Sequence, residues 1–272
     1  MVNADSRAAS NIRSVFTDEP IFASCASALA MCGLILCMAS FIDPRQVLGQ
    51  NVWVKPTKFA VALSVYLGSL AYFARWLPDR LRINVIYRAY SICIVAAVIA
   101  EFVWITGAAA YATQSHFNSE LPFLVRLYPW MGILAIFLTS ASIFYGLQIA
   151  FNIGPGMAPA ERVALSGGLI LTFVSTVLVA GYLSSNGGHH VGLTGSGALT
   201  VPVLGWSREV GDLRVAHFFA THAMQAVPII RVALQRILPR CAVLPLTVLA
   251  LASYAGFIAF TFLQARAGLP FI

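Results

Sequence analysis

Residues 89–111 read AYSICIVAAVIAEFVWITGAAAY, an apolar run broken by one charged side chain, Glu101. At about 1.5 Å per residue, a helix of this length crosses the ~30 Å hydrocarbon core of a bilayer. Reading outward in both directions, the same texture recurs at roughly 21–42, 59–77, 129–151, 164–184, 213–234 and 243–265. The sixth run is the weakest: it is apolar only from Val215 to Ile230, carries two histidines, and ends in Arg231, which can snorkel toward head groups. The predicted fold is therefore all-α, an integral membrane bundle of seven transmembrane helices. Small residues such as Ser64 and Gly68, or Gly167 and Gly168, would let helices approach closely. The expected organisation is a polar N-terminal tail over 1–20, then a single transmembrane domain over 21–272. The run from Ile21 is longer than a signal-peptide core and lacks an A-x-A site, so it reads as an uncleaved first helix.

Composition excludes an ordinary water-soluble enzyme. Of 272 residues, 59% are hydrophobic and 10% charged, whereas a typical soluble domain is about 25% charged. The mean hydropathy of +0.82 agrees. A net charge of +7 would suggest nucleic acid in a soluble protein. Here the basic side chains sit in short connections, where they orient the chain and touch anionic lipid, so the bilayer is the expected partner and nucleic acid is not. The densest clusters, RWLPDRLRINVIYR (75–88) and RVALQRILPR (231–240), fall on the same side if the N-terminus is inside. The positive-inside rule then predicts N-in, C-out. Cys25, Cys32, Cys37, Cys93 and Cys241 lie in or beside apolar runs with no metal-binding spacing, and read as packing residues.

The outer connections are the longer and chemically richer ones. The longest, over 185–212, reads SNGGHHVGLTGSGALTVPVLGWSREVGD, a glycine-rich stretch suited to a lid or a re-entrant segment. GLTGSG within it lacks the Lys-Ser/Thr that would complete a phosphate loop. No internal repeat is evident.

The polar residues cluster. An ionised carboxylate such as Glu101 at a helix centre costs about 2.5–3.5 kcal/mol on insertion scales, so it must be protonated, paired or liganded. All five histidines, His116, His189, His190, His217 and His222, fall on the expected outer side or in the outer half of the bilayer. Two chemistries would use the set. A transition metal (Zn, Fe or Cu) would draw its ligands from Glu101, His116, His189, His190, His217 and His222. Haem would take His217 or His222 as an axial ligand. Glu101 would be the acid/base group or a ligand, acting on a lipid-soluble or small substrate. His217 and His222 are five residues apart, which turns them about 140° from each other on a regular helix, so each is expected to find partners on other helices. Trp53, Lys55 and Lys58 surround Pro56 at head-group level, as an interfacial anchor or an anionic clamp that Arg208 and Arg214 would extend unless they pair locally with Asp212. Pro228 is expected to kink the sixth helix below His222.

The segments GQNVWVKPTKF (49–59), Glu101 with QSHFN (114–118), and GDLRVAHFFATHAMQAVP (211–228) carry a resemblance to a group of bacterial multi-pass membrane proteins of unassigned function, over about 55–235. The resemblance implies a bacterial inner (cytoplasmic) membrane protein and brings no activity with it. Three functions stay open: a metal- or haem-dependent membrane protein, a proton-coupled transporter in which Glu101 and His222 titrate, and a non-catalytic sensor or assembly subunit with a membrane-protein partner.

Overall fold

The computed structural model describes residues 15–118, 121–152, 156–193 and 199–272. Most of the N-terminal tail and most of GLTGSG lie outside the described residues. Among the described residues, six helices are long and apolar enough to cross a membrane: Pro20–Ile42, Val54–Trp76, Val85–Ala110, Pro122–Phe151, Pro159–Ser185 and Arg240–Arg266. Their outward faces carry exposed Leu34, Ile35, Met38, Val103, Ile133, Leu178 and Phe260, a surface that lipid tolerates and water does not. The chain is a multi-pass helical membrane protein, divided into two compact units, 1–141 and 142–272.

In the first unit, α1 (Pro20–Ile42) begins with Pro at its first position, where the missing N–H is an orphan anyway. It packs chiefly against α2 (Val54–Phe73). Small residues set the approach: Ser64 Oγ of α2 donates to the Ala26 carbonyl at 2.8 Å, and a Cβ at Gly33 would sit 3.3 Å from that of Ala60. A short hairpin, β1 (Gln46–Val47) with β2 (Gln50–Asn51), joins the two helices through a turn with positive φ at Leu48 and Gly49. Asp43 organises this connection by accepting from Arg45 and from Trp53 Nε1 at 2.8 Å. Arg45 also caps the carbonyl of Ala110, the last residue of the helix Val85–Ala110, at 2.7 Å. A 3₁₀ turn (Ala74–Trp76) and the four-residue α3 (Asp79–Arg82) lead into α4 (Val85–Ala110), whose N-cap Asn84 accepts from Ile86 N. The first half of α5 (Pro122–Phe151) is tied in by Tyr66 Oη donating to Leu138 O at 2.9 Å, and by Tyr90 and Ser140 hydroxyls 2.7 Å apart.

The second unit is built on α6 (Pro159–Ser185), whose buried stripe includes Leu165, Gly168, Leu169, Thr172, Thr176 and Val179. Against it pack α7 (Leu213–Thr221), α8 (Ala223–Ile237) and α9 (Arg240–Arg266). Two-residue strands β3 (His190–Val191) and β4 (Gly211–Asp212) pair antiparallel, with His190 opposite Asp212.

The region expected to form the sixth span is thus two helices meeting at His222. Neither is long enough alone to count among the six spanning helices. The break falls six residues before Pro228, which lies inside α8 and brings no N–H to bond the Met224 carbonyl. Side chains of neighbouring helices satisfy the freed backbone: Met224 N–H donates to Thr172 Oγ1 at 2.8 Å, and Tyr254 Oη donates to Phe219 O at 3.0 Å.

Candidate functional site

The first unit assembles a polar cluster around Glu101, which is 5% exposed and carries a buried Oε1 with no hydrogen-bond partner. The charge acting on it is the Lys55 ammonium. Lys55 stands in the first turn of α2 and is exposed, with its Nζ 3.3 Å from His116 Nδ1. An ammonium can only donate, so Nδ1 accepts and the imidazole proton is on Nε2. Ser115 Oγ lies 3.0 Å from the same Nδ1. The segment holding Ser115 and His116 is fastened to α4 by Trp104 Nε1, which donates to Ser115 O at 2.9 Å. Glu101 and Trp104 are i, i+3 on one helix, so the carboxylate shares a face with the indole that fastens the Ser115–His116 segment. Tyr128 and Phe59 rings flank His116 at 5.8 and 6.2 Å. Burial, and then the neighbouring Lys55 charge, push the His116 pKa down to about 3, so the ring is a neutral acceptor at physiological pH. Next to it opens a polar cavity of about 220 Å³, lined by Gln46, Leu48, Thr113, Gln114 and Asn118 among others.

The remaining histidines belong to the second unit. The His189 and His190 rings meet edge to face, with centroids 4.2 Å apart. His190 Nε2 is 3.6 Å from Asp212 Oδ2 and 3.4 Å from Arg214 Nη2. The Asp212 side chain is 0% exposed. It accepts from Arg214 Nη2 at 2.6 Å, from Ser207 N at 2.9 Å and, as N-cap of α7, from Arg214 N at 3.0 Å. Burial opposes its ionisation, but the His190 imidazole and the Arg214 guanidinium outweigh it and hold the carboxyl below the usual carboxylate range. Arg214 also donates to Gly205 O at 2.6 Å, so it is occupied in pinning the long connection down. Of the two arrangements open to it in the sequence, local pairing with Asp212 is the one adopted. Arg208 is exposed.

His217 and His222 do not share a face: His217 is within α7 with a buried, unpartnered Nδ1, while His222 occupies the helix junction with its ring tilted against Phe218, centroids 4.5 Å apart. Among the described residues, no group of three or more His, Cys, Asp or Glu is arranged to hold a metal ion. Lys58 follows Lys55 by one turn, half-buried.

Sequence reasoning did not single out Ser115, Trp104, Thr172, Thr176 or Tyr254. The available signal was general: hydroxyls and an indole N–H inside apolar runs need partners. Comparison with family models, with curated proteins and with solved structures finds no match to this chain.

Proposed function

We propose that the chain is a proton-coupled carrier of a small or lipid-soluble substrate, with Glu101 as the carboxyl that gains and loses a proton. One observation carries this reading: Glu101 is buried in a membrane-crossing helix with an oxygen left unpartnered, beside a lysine that reaches the surface. A carboxylate locked for structure would have its oxygens satisfied; one that must exchange protons needs a vacant lone pair and a route outward. Lys55, the neutral His116 and Ser115 are the groups that would supply that route.

In this reading α7 and α8 together make a seventh crossing, broken at His222, with the N-terminus inside and the clusters at 75–88 and 231–240 on the inner face of a bacterial inner membrane. A broken helix at membrane depth is tolerated where protein surrounds it, and carriers use such breaks to bind cargo. A transition metal or haem on the histidines is the competing proposal. The transition-metal half of it has the weaker support, since the described residues gather no three donors. Stoichiometric Zn, Fe or Cu, or a Soret band lost in His222→Ala, would favour it.

The test is an infrared difference titration of protein reconstituted in liposomes. A protonated-carboxyl band should follow external pH and disappear in Glu101→Gln. In His116→Ala the band should persist but respond slowly. A band insensitive to Glu101→Gln refutes the proposal.

A further inference from the structure

We infer that the α7–α8 junction binds a monovalent cation, Na⁺ or K⁺, through neutral oxygens: the Ala220 and Thr221 carbonyls with the Thr172 and Thr176 hydroxyls. In an unbroken helix Met224 N–H would bond Ala220 O and Gln225 N–H would bond Thr221 O. Here Met224 N–H is taken by Thr172 Oγ1 at 2.8 Å, and Gln225 N–H turns to His222 O at 3.1 Å. Phe219 O, by contrast, is served by Tyr254, and Phe218 O by Thr221 Oγ1 and His222 N–H. Two carbonyls at the negative end of α7 thus lose their helical partners at one point, Ala220 O keeping only the short-range contact from His222 N–H.

A second, independent observation points to a ligand. Thr176 is 7% exposed, and its Oγ1 is buried without a hydrogen-bond partner. Other hydroxyls of α6 bond back to their own helix, Ser166 to Arg162 O and Ser175 to Leu171 O, and Thr176 does not. Its direction follows from the packing. Gly168 lies against Ala223 and Met224, Thr172 reaches Met224, and Val179 joins Ala216 and Ala220 in one cluster, so α6 runs antiparallel to α7–α8. Thr176, one turn beyond Thr172 on the same face, comes level with Ala220.

The oxygen set selects the ion. Divalent Mg²⁺ and Ca²⁺ sites draw on carboxylates, and transition metals on imidazole or thiolate. Carbonyls and hydroxyls without a formal charge suit a hard monovalent cation, and half-helix C-terminal ends supply such sites in broken membrane helices. The site is separate from Glu101 and stands whether or not that residue exchanges protons.

The test is thermal unfolding of detergent-purified protein titrated with NaCl or KCl against N-methyl-D-glucamine chloride at constant ionic strength. One of the two ions should raise the unfolding midpoint saturably, by about 3 °C at tenfold excess over its dissociation constant. Thr176→Val, which removes a hydroxyl that makes no bond, should keep the fold and lose the rise; Glu101→Gln should keep it. Equal midpoints in all three salts, or a full rise retained in Thr176→Val, overturn the inference.

Discussion

Replacing Gly211 with alanine tests how the long outer connection is held. Gly211 lies in β4 directly against the last turn of α9. A Cβ there would overlap Ala265 O and sit 2.8 Å from Ala265 C and 3.0 Å from its Cα. Overpacking against side chains costs about 1–3 kcal/mol because they can turn away. The obstacle here is main chain near the end of a 27-residue helix, so β4 itself must move, and the cost belongs at the top of that range, ~3 kcal/mol. For a chain of this size each kcal/mol lowers the midpoint by about 2–4 °C, giving a loss of about 6–12 °C. Displacing β4 also loosens Asp212, which holds Ser207 N, and with it the neighbouring Trp206, 7% exposed, whose fluorescence reports the transition. Gly181→Ala in α6, where a Cβ meets nothing within 4 Å, is the control and should not destabilise. Ala265→Gly should not rescue Gly211→Ala, because it removes no atom in the way. A Gly211→Ala midpoint within about 1 °C of wild type, or rescue by Ala265→Gly, refutes the reasoning.

Three further outcomes are expected. Asp212→Asn removes the buried partner of Arg214. Discounting the usual 3–5 kcal/mol because the arginine is 31% exposed gives a loss of about 2–3 kcal/mol near neutral pH. The Asp212 carboxyl is held below its ordinary 3.8, so its contribution is present above that value and fades as pH falls through the lower folded one; wild-type and variant midpoints should converge below pH 3.8. Glu19 behaves oppositely. It is 2% exposed, accepts from Tyr87 Oη, and burial raises its pKa from 4.5, so its stabilisation is full below 4.5 and is lost as pH rises through the raised value. Glu19→Gln should thus raise the neutral-pH midpoint and change little in acid. His116→Ala should insert and fold normally while slowing the Glu101 infrared response, and His217→Ala should leave that response unchanged.

Hydropathy alone shows that most of this chain is membrane-crossing helix, because each of these crossings is a local property: about twenty apolar residues with few charges. It also shows that Glu101 and the histidines need explanation, since a polar group in lipid is costly wherever its partners lie. Partners are a different matter. That Lys55 reaches His116, that Trp104 fastens Ser115, and that Thr172 and Tyr254 catch the backbone of a broken helix all depend on side chains brought together across 11 to 61 positions of sequence. The break itself illustrates the division. Apolar periodicity through His222 reads as one helix, and Pro228 marks trouble nearby, but a hydroxyl on α6 that accepts the Met224 N–H lets the interruption settle at His222. Local propensity determined the elements; the buried hydrogen bonds that only packing supplies decided where they stop and what they hold.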